Sequence, residues 1–227
     1  MNVIYLHGFA SSPTGSSKVN AFVTRFASLG IDLRVPDLNQ PDFEHLTLTA
    51  MIERTMDEVA VCPPGPILLI GSSMGGAVAV HTVDQLRRRG SPDAGRIAAI
   101  LLMAPGLSFA DNRLRQLGET GLRQWRESGW LTVAHFGYGE SRRIHYGIMD
   151  DVARYDSYAL DLPMPITIVH GTRDEVVRVE DSARFAEGRP NVTLIPVDSD
   201  HGLLDQIDVI FAEAQALLRA ISPGESA

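Results

Sequence analysis

The sequence of 227 residues has little cysteine and no long apolar run. Its one cysteine, Cys62, stands in a loop-like Val-Cys-Pro-Pro-Gly segment and has no partner for an internal disulfide, so nothing requires an oxidising compartment. No stretch approaches the roughly 20 apolar residues of a membrane span. The N-terminus lacks the basic leader and apolar run of a signal peptide. We therefore expect a cytoplasmic location and no membrane partner.

Positive charge is also scarce, because 28 acidic residues outnumber 20 basic ones and give a net charge of -8. A nucleic-acid partner is not expected, since phosphate binding needs clustered Lys and Arg. Hydrophobic residues make up 44% and charged residues 21%, the balance of an ordinary globular protein. A chain of this length fits one domain, and we take residues 1–227 as a single one.

Short apolar runs alternate with longer amphipathic ones, which predicts an α/β fold with helices covering a parallel sheet. Enough chain for a crossover helix separates each pair of runs, so all of the strands can be parallel. About six strands are predicted, over 2–6, 31–35, 67–70, 97–103, 165–170 and 191–197.

The exception is the segment 106–160, which lacks the apolar strand pattern and carries both tryptophans and four of the five tyrosines. An insertion of this kind between strands is typical of a helical cap or lid over a site. Its aromatic residues are candidates for the substrate pocket, and they fit the insertion's own core equally well. The pocket candidates are Trp125, Trp130, Phe136 and Tyr138.

Gly71-Ser72-Ser73-Met74-Gly75 matches the G-x-S-x-G pattern. The pattern alone is weak, but here it follows a predicted buried strand and opens a predicted helix, the setting of a nucleophile elbow. Ser73 would then stand above the carboxyl edge of the sheet as a nucleophile. The alternative is an ordinary strand-to-helix turn whose serine only caps the helix.

A serine hydroxyl needs a base, and His201 fits best because it follows the last strand, at the same edge of the sheet as Ser73. The acid of such a triad should follow the preceding strand, where Asp174 stands. Other candidates fit less well by position. The other histidines are His45, His81, His135 and His145, and the other acids are Glu175, Asp198 and Asp200.

Acyl transfer also needs donors for the oxyanion of the tetrahedral intermediate. The amide of Met74 is one candidate, and the amide of Phe9 in the loop after the first strand is the other. Gly8 belongs to the same loop and is expected beside the substrate. The side chains of His7 and His170, each followed by glycine, are expected to brace their loops.

Three segments of the sequence carry a family resemblance. Leu6-His7-Gly8-Phe9, with Ser11-Ser12-Pro13 and Ser16-x-Lys18, stands near the start, and Gly71 to Gly76 forms the elbow. Together with the Gly-x-x-Asp and Asp-His-Gly segments, they resemble the small bacterial YqiA-type esterases of the α/β-hydrolase superfamily. The resemblance implies an α/β-hydrolase fold and carboxylester hydrolysis without a cofactor. The insertion 106–160 is longer and richer in Trp and Arg than the resemblance leads one to expect.

The sequence therefore predicts a serine carboxylesterase that cleaves short- to medium-chain acyl esters through an acyl-enzyme on Ser73. The substrate is a small acyl ester, and no metal is implied because no His, Cys or carboxylate cluster has ligand spacing. The alternatives are a thioesterase, an amidase or peptidase, a carbon–carbon bond hydrolase, and a non-catalytic relative that binds a ligand. The sequence leaves open whether the protein is a monomer or a homodimer.

Overall fold

A parallel sheet lies at the centre of the structure, a computed structural model that describes residues 1–222. The strands in these residues are β1 (Asn2–Leu6), β2 (Leu33–Arg34), β3 (Ile67–Ser72), β4 (Ile97–Met103), β5 (Trp130–His135), β6 (Glu140–His145), β7 (Ile166–Gly171) and β8 (Val192–Val197). Six of them form the central sheet in the order β2-β1-β3-β4-β7-β8, and all neighbours are parallel. This confirms the predicted α/β fold.

Two helices begin at a capping side chain. The Ser16 hydroxyl accepts a hydrogen bond from Val19 N at the start of α1, and the Thr47 hydroxyl accepts one from Ala50 N at the start of α2. Within residues 1–222 the helices are α1 (Ser17–Ala27), α2 (Leu48–Val61), α3 (Met74–Arg88), α4 (Phe109–Ser128), α5 (Gly147–Val152), α6 (Val179–Ala186) and α7 (Ile207–Ile221).

The core has two layers because successive side chains of a strand point to opposite faces. Val3 and Tyr5 of β1 pack in one cluster with α1 and α7. Ile4 and Leu6 pack in the other, with α2, α3 and the segment 106–160. Full burial of one such side chain stabilises the fold by about 1.5–3 kcal/mol, so the strands are anchored on both faces.

The strand predicted over 31–35 is much shorter in the structure. Only Leu33 and Arg34 pair with β1, opposite Val3 and Ile4. This strand lies at the edge of the sheet and has one neighbour, so little pairing is available to extend it.

The segment 106–160 contains α4, α5 and an antiparallel hairpin of β5 and β6, which the sequence pattern did not predict. The reason lies in the composition of β6, Glu-Ser-Arg-Arg-Ile-His, in which only Ile144 is buried. A strand with one buried residue has no apolar alternation to reveal it.

The turn of this hairpin lies on the loop that follows β1. Gly137 N donates to Ala10 O at 3.3 Å, and Ser12 Oγ donates to Gly137 O at 3.4 Å. A side chain on Gly137 would lie 2.6 Å from Ser12 N. Glycine therefore allows the two turns to touch through their backbones.

The helices within residues 1–222 were also compared with the requirements of a membrane span. None of them is both long enough and apolar enough to cross a bilayer.

Candidate active site

Ser73 is the single residue between β3 and α3, and its backbone is strained. Its φ of 51° and ψ of -120° lie where side chains other than glycine are rare. Two hydrogen bonds hold this conformation, from Ser73 N to Met103 O at 2.9 Å and from Gly76 N to Ser73 O at 2.8 Å. The side chain of Ser73 consequently projects from the carboxyl edge of the sheet, and α3 begins directly behind it.

Two glycines allow the turn to be this tight. A Cβ on Gly71 would lie 2.5 Å from Gly75 O, and a Cβ on Gly75 would overlap the carbonyl oxygen of Leu6. The start of α3 therefore packs directly on the backbone of β1 and β3. The positive end of the helix dipole is directed at the space in front of Ser73.

The side chains of Ser73, His201 and Asp174 form one hydrogen-bonded chain. His201 Nε2 lies 3.0 Å from Ser73 Oγ, and His201 Nδ1 lies 2.7 Å from Asp174 Oδ2. His201 follows β8 and Asp174 follows β7, and the parallel sheet brings the ends of both strands to the edge where Ser73 stands. The structure thus brings together all three residues that the sequence proposed for a triad.

Asp174 is held on both carboxylate oxygens, and its side chain has no exposed surface. Oδ1 accepts hydrogen bonds from Val176 N and Val177 N, both at 2.8 Å. Oδ2 faces His201 Nδ1 and also His170 Nε2, which lies 3.2 Å away. Burial raises the pKa of the carboxyl, but the hydrogen bonds from His170 and His201 outweigh it, so the pKa lies well below its usual range. Asp174 is therefore a fixed anion.

The other candidate acids have different partners. Asp198 forms an ion pair with Arg173 at 2.8 Å, and Asp200 accepts a hydrogen bond from Gly202 N at 2.8 Å. Glu175 is exposed. Among these carboxylates only Asp174 contacts the imidazole of His201.

The other candidate histidines also lie outside the chain. His81 contacts Ser157 Oγ at 3.0 Å, and His135 stacks on Tyr138 with ring centroids 3.8 Å apart. His45 and His145 pack around Trp130 on the hairpin. None of these four rings contacts Ser73.

The loop after β1 passes beside Ser73. A Cβ on Gly8 would lie 3.2 Å from Ser73 Cβ, so only glycine leaves the present spacing undisturbed. His7 braces the loop: its Nε2 accepts from Leu38 N at 3.0 Å, and its Nδ1 donates to Gly8 O at 3.0 Å. The expected role of His7 in bracing this loop agrees with these contacts.

Two amides are proposed for the oxyanion, that of Met74 next to Ser73 and that of Phe9 in the loop after β1. In the part of the chain that the structure describes, neither Phe9 N nor Met74 N donates a hydrogen bond to another protein group. Unpaired amides are rare away from water, so both are available to a ligand. Gly106 carries no side chain over Met74, where a Cβ would lie 3.4 Å from the amide nitrogen.

A cavity of about 570 Å³ opens in front of Ser73. Its volume lies within the usual range for small-molecule sites. Residues from the core and from the hairpin share its wall, which includes Gly8, Lys18, Ser73, Arg113, Phe136 and His201.

Three of the aromatic residues predicted for the substrate pocket lie elsewhere. Trp125 is only 2% exposed and donates its Nε1–H to Ile144 O at 3.1 Å, so it forms the core of the insertion. Trp130 packs against His45 and His145 on the outside of the hairpin. Tyr138 stacks on His135 instead of facing the cavity. Of the predicted wall residues, Gly8 and Phe136 do line the cavity.

Lys18 and Arg113 also line the cavity, and sequence reasoning gave neither of them a role in the site. The signal for Lys18 was present, because it stands in the Ser16-x-Lys18 segment that carries the family resemblance. Arg113 had no signal, since many arginines occur in the insertion and its helix position does not show which one faces the cavity.

Clusters that could bind a metal ion were sought over residues 1–222. In this part of the chain, no group of three or more His, Cys, Asp or Glu side chains comes together in a suitable arrangement.

Comparison with protein families gives a match over residues 2–218 to the family described as "Uncharacterised protein family (UPF0227)". The chain belongs to this family. It is thereby an α/β-hydrolase relative, as the resemblance of its motifs implied. A sequence search of curated proteins found no match.

Solved structures share the fold of this family member. A protein of Agrobacterium vitis S4 whose name includes the word hydrolase superimposes with a TM-score of 0.83 at 23% identity, covering 95% of this chain and 87% of that one. The mouse alpha/beta hydrolase domain-containing protein 10 gives 0.78 at 19%, covering 97% and 90%. Est1E from Butyrivibrio proteoclasticus gives 0.75 at 19%, covering 97% and 88%. These likenesses confirm the α/β-hydrolase fold.

Proposed function

We propose that this protein is a serine carboxylesterase that hydrolyses short- to medium-chain acyl esters through an acyl-enzyme on Ser73. The observation that carries the proposal is the chain of contacts from Ser73 Oγ to His201 at 3.0 Å and on to the buried Asp174 at 2.7 Å. A nucleophile, a base and an orienting acid in this order are the parts that acyl transfer to serine requires.

The first step would be attack of Ser73 Oγ on the ester carbonyl. Because the ionised Asp174 is an acceptor, His201 Nδ1 carries its hydrogen toward it, which leaves the Nε2 lone pair facing Ser73. His201 then takes the hydroxyl proton as the oxygen–carbon bond forms. Asp174 stabilises the imidazolium that results.

The tetrahedral intermediate carries a negative oxygen, which the amides of Phe9 and Met74 would bind. Both amides lack a protein acceptor within residues 1–222, and the N-terminus of α3 adds its dipole at the same place. Removing one such donor typically lowers kcat by about 10²–10³-fold, so the two amides account for a large part of the proposed catalysis.

The imidazolium would then protonate the leaving alcohol as the tetrahedral intermediate collapses and the carbon–oxygen bond to the alcohol breaks, which leaves the acyl-enzyme on Ser73. A water molecule takes the place of the alcohol, and His201 removes its proton as it attacks the acyl carbon. Collapse of the second intermediate releases the acid and returns the proton to Ser73. The cycle uses no group outside the chain and the water.

The names of two solved structures with this fold support esterase activity for this protein. Est1E has also been solved with ferulic acid bound, and an esterase domain of a Rhodothermus marinus protein has the same fold, with a TM-score of 0.64 at 17% identity. Identity this low supports the chemistry only together with the residues of the site.

The test is hydrolysis of p-nitrophenyl esters from acetate to a long acyl chain, by the wild type, by Ser73→Ala and by Ser28→Ala. Ser28 is an exposed serine at the end of α1 and serves as the matched control. We expect Ser73→Ala to lower kcat by about 10⁴–10⁶-fold and Ser28→Ala to match the wild type. The chain-length profile would then measure the reach of the cavity.

Labelling with a fluorophosphonate probe gives a second readout that does not depend on the choice of ester. We expect Ser73 to be labelled in the wild type and the label to be absent in Ser73→Ala. Ester turnover that survives in Ser73→Ala would contradict the proposed nucleophile. A wild type that is silent toward both the probe and every ester would contradict the proposed enzyme.

A further inference from the structure

Lys18 is the only lysine in the chain, where the other 19 of its 20 basic residues are arginines. This one lysine lies in the wall of the cavity that contains Ser73. Its side chain is only 9% exposed. Lysine is seldom buried without a pairing partner, so this position calls for an explanation.

The surroundings of Lys18 disfavour its charge. Nζ donates to Ser72 Oγ at 3.2 Å, and no carboxylate within residues 1–222 comes close enough for an ion pair. The residue stands in the first turn of α1, where the helix dipole repels a cation. Burial lowers the pKa of Lys18 to about 8, and Asp174 and Asp200 offset this only partly from a distance. A charged lysine at this position therefore does not stabilise the fold. We infer that its role is in binding.

Arg113 is a second cation in the same wall. Its guanidinium lies over the rings of Phe9 and Phe109, at 4.7 and 4.9 Å from their centroids, and donates to Gln116 Oε1 at 2.8 Å. It forms no ion pair in the described part of the chain. Arg115, two residues further along α4, does pair with a carboxylate, that of Asp181 at 2.8 Å.

Two cations without carboxylate partners in one cavity are complementary to an anion. We propose that Lys18 and Arg113 bind an anionic group of the substrate, a carboxylate or a phosphate, so that the ester cleaved at Ser73 is an acidic one. The inference rests on the proposed esterase function and names its substrate class. An anionic group that enters the cavity would take the place of the missing carboxylates and form charge-assisted hydrogen bonds with the two cations.

Two pairs of esters of matched size test the inference and locate the charge. Mono-p-nitrophenyl glutarate and p-nitrophenyl valerate differ by a charge at the end of the acyl chain. The 4-carboxyphenyl and 4-methylphenyl acetates differ by a charge on the alcohol. We expect the wild type to prefer the anionic member of one pair by about tenfold or more in kcat/KM, the gain from one charge-assisted hydrogen bond.

The variants Lys18→Met and Arg113→Met remove each charge and keep much of each side chain. We expect each to lower the ratio of kcat/KM for the anionic ester over its neutral match by about tenfold, mainly through KM. Lys18→Arg, which keeps a charge, should retain part of the preference. Arg123→Met on the same helix is the matched control, because Arg123 is exposed and should leave the ratio unchanged.

The single lysine also allows a binding measurement that needs no turnover. In Ser73→Ala protein labelled with ¹³C in lysine only, the one side-chain Cε signal belongs to Lys18. We expect glutarate or propyl phosphate to shift this signal at saturable concentrations, and comparison of the two identifies the preferred anion. Butyramide, which is neutral, should not shift it. Circular dichroism, which needs no lysine, shows whether the variants remain folded.

The outcomes separate the two proposals. If Ser73-dependent hydrolysis shows no preference for the anion in either pair and the Lys18 signal does not respond, the acidic-substrate inference fails and the esterase stands. If no ester is turned over, the esterase proposal fails, and the lysine signal still decides whether the cavity binds anions. A preference that persists in both Lys18→Met and Arg113→Met overturns the role given to these residues.

Discussion

His170 Nε2 lies 3.2 Å from Asp174 Oδ2, the same carboxylate oxygen that faces His201 Nδ1 at 2.7 Å. His170 is fully buried at the end of β7. Its Nδ1 faces Ser182 Oγ at 2.8 Å, and its Nε2 also lies 3.0 Å from Val177 O. Nε2 carries the hydrogen because Val177 O and the carboxylate are both acceptors, so the Ser182 hydroxyl donates to Nδ1 and the Nε2 hydrogen is shared between Val177 O and the carboxylate. His170 therefore fixes the position of Asp174, beyond the loop-bracing role expected from the sequence.

Removal of this donor should slow catalysis without affecting binding. We expect His170→Asn, whose shorter side chain withdraws the N–H from Asp174, to lower kcat on p-nitrophenyl acetate by about tenfold. KM should change little because His170 does not line the cavity. His170→Gln, whose amide reaches closer to the position of Nε2, should retain more activity. An equal loss of kcat in both variants would assign the effect to packing rather than to the hydrogen bond.

The depressed pKa of Asp174 makes part of the stability dependent on pH. A carboxyl whose pKa is lower in the folded than in the unfolded state stabilises the fold above the unfolded value of about 3.9, and this contribution is lost as pH falls toward the folded value. We expect the free energy of unfolding of the wild type to decrease more steeply between pH of about 5 and 2 than that of Asp174→Asn. Urea titrations across this range measure both slopes. Parallel curves would show that Asp174 is not the group responsible.

Alanine at Gly75 should destabilise the fold, although the residue lies in a helix. Glycine to alanine in a helix usually adds up to about 1 kcal/mol of stability. At Gly75 the new Cβ would overlap the carbonyl of Leu6, so we expect a loss of about 3 kcal/mol or more, together with loss of esterase activity. Gly95→Ala is the control, because a Cβ there meets nothing within 4 Å. Chemical denaturation measures both, and a Gly75→Ala protein as stable as the wild type would refute the packing argument.

Alanine substitutions of two aromatic residues of the insertion should differ in their effect, one on stability and the other on KM. Trp125→Ala removes a buried side chain and should lower the free energy of unfolding by about 3–5 kcal/mol. Phe136 lines the cavity and is 80% exposed, so Phe136→Ala should leave stability within about 0.5 kcal/mol and raise KM for the longer acyl esters. Thermal unfolding and ester kinetics on both variants check the pair. A Trp125→Ala protein that is as stable as the wild type but has a raised KM would show that Trp125 belongs to the cavity wall and not to the core.

The sheet and the chain of contacts at its edge could be predicted because each depends on local patterns. Buried parallel strands form mostly apolar runs, as in β3 and β4. Their carboxyl ends meet at one edge of the sheet, independently of the conformation of the loops. The positions of Ser73, Asp174 and His201 follow from the strand that each one comes after and, for Ser73, from the G-x-S-x-G motif. Their catalytic roles stay predictions until the variants are assayed.

What the sequence did not reveal depends on packing between distant segments. The hairpin of β5 and β6 exposes most of its residues, so no periodicity marks it. Trp125 and Phe136 have similar chemistry and lie close in sequence, yet one is buried and the other borders the cavity. Only the three-dimensional contacts of the insertion separate them. The same holds for Arg113, whose guanidinium lies over the ring of Phe9 on the loop after β1.

The backbone contact between Gly137 and the loop at Ala10 and Ser12 constrains how this protein can be re-engineered. The hairpin turn rests on the segment that carries the Phe9 amide, and neither side can gain a side chain at that contact without moving the other. A chimera that takes the segment 106–160 from a relative would therefore also need that relative's residues 8–13. In such a chimera the wall of the cavity and the position of the Phe9 amide would therefore change together.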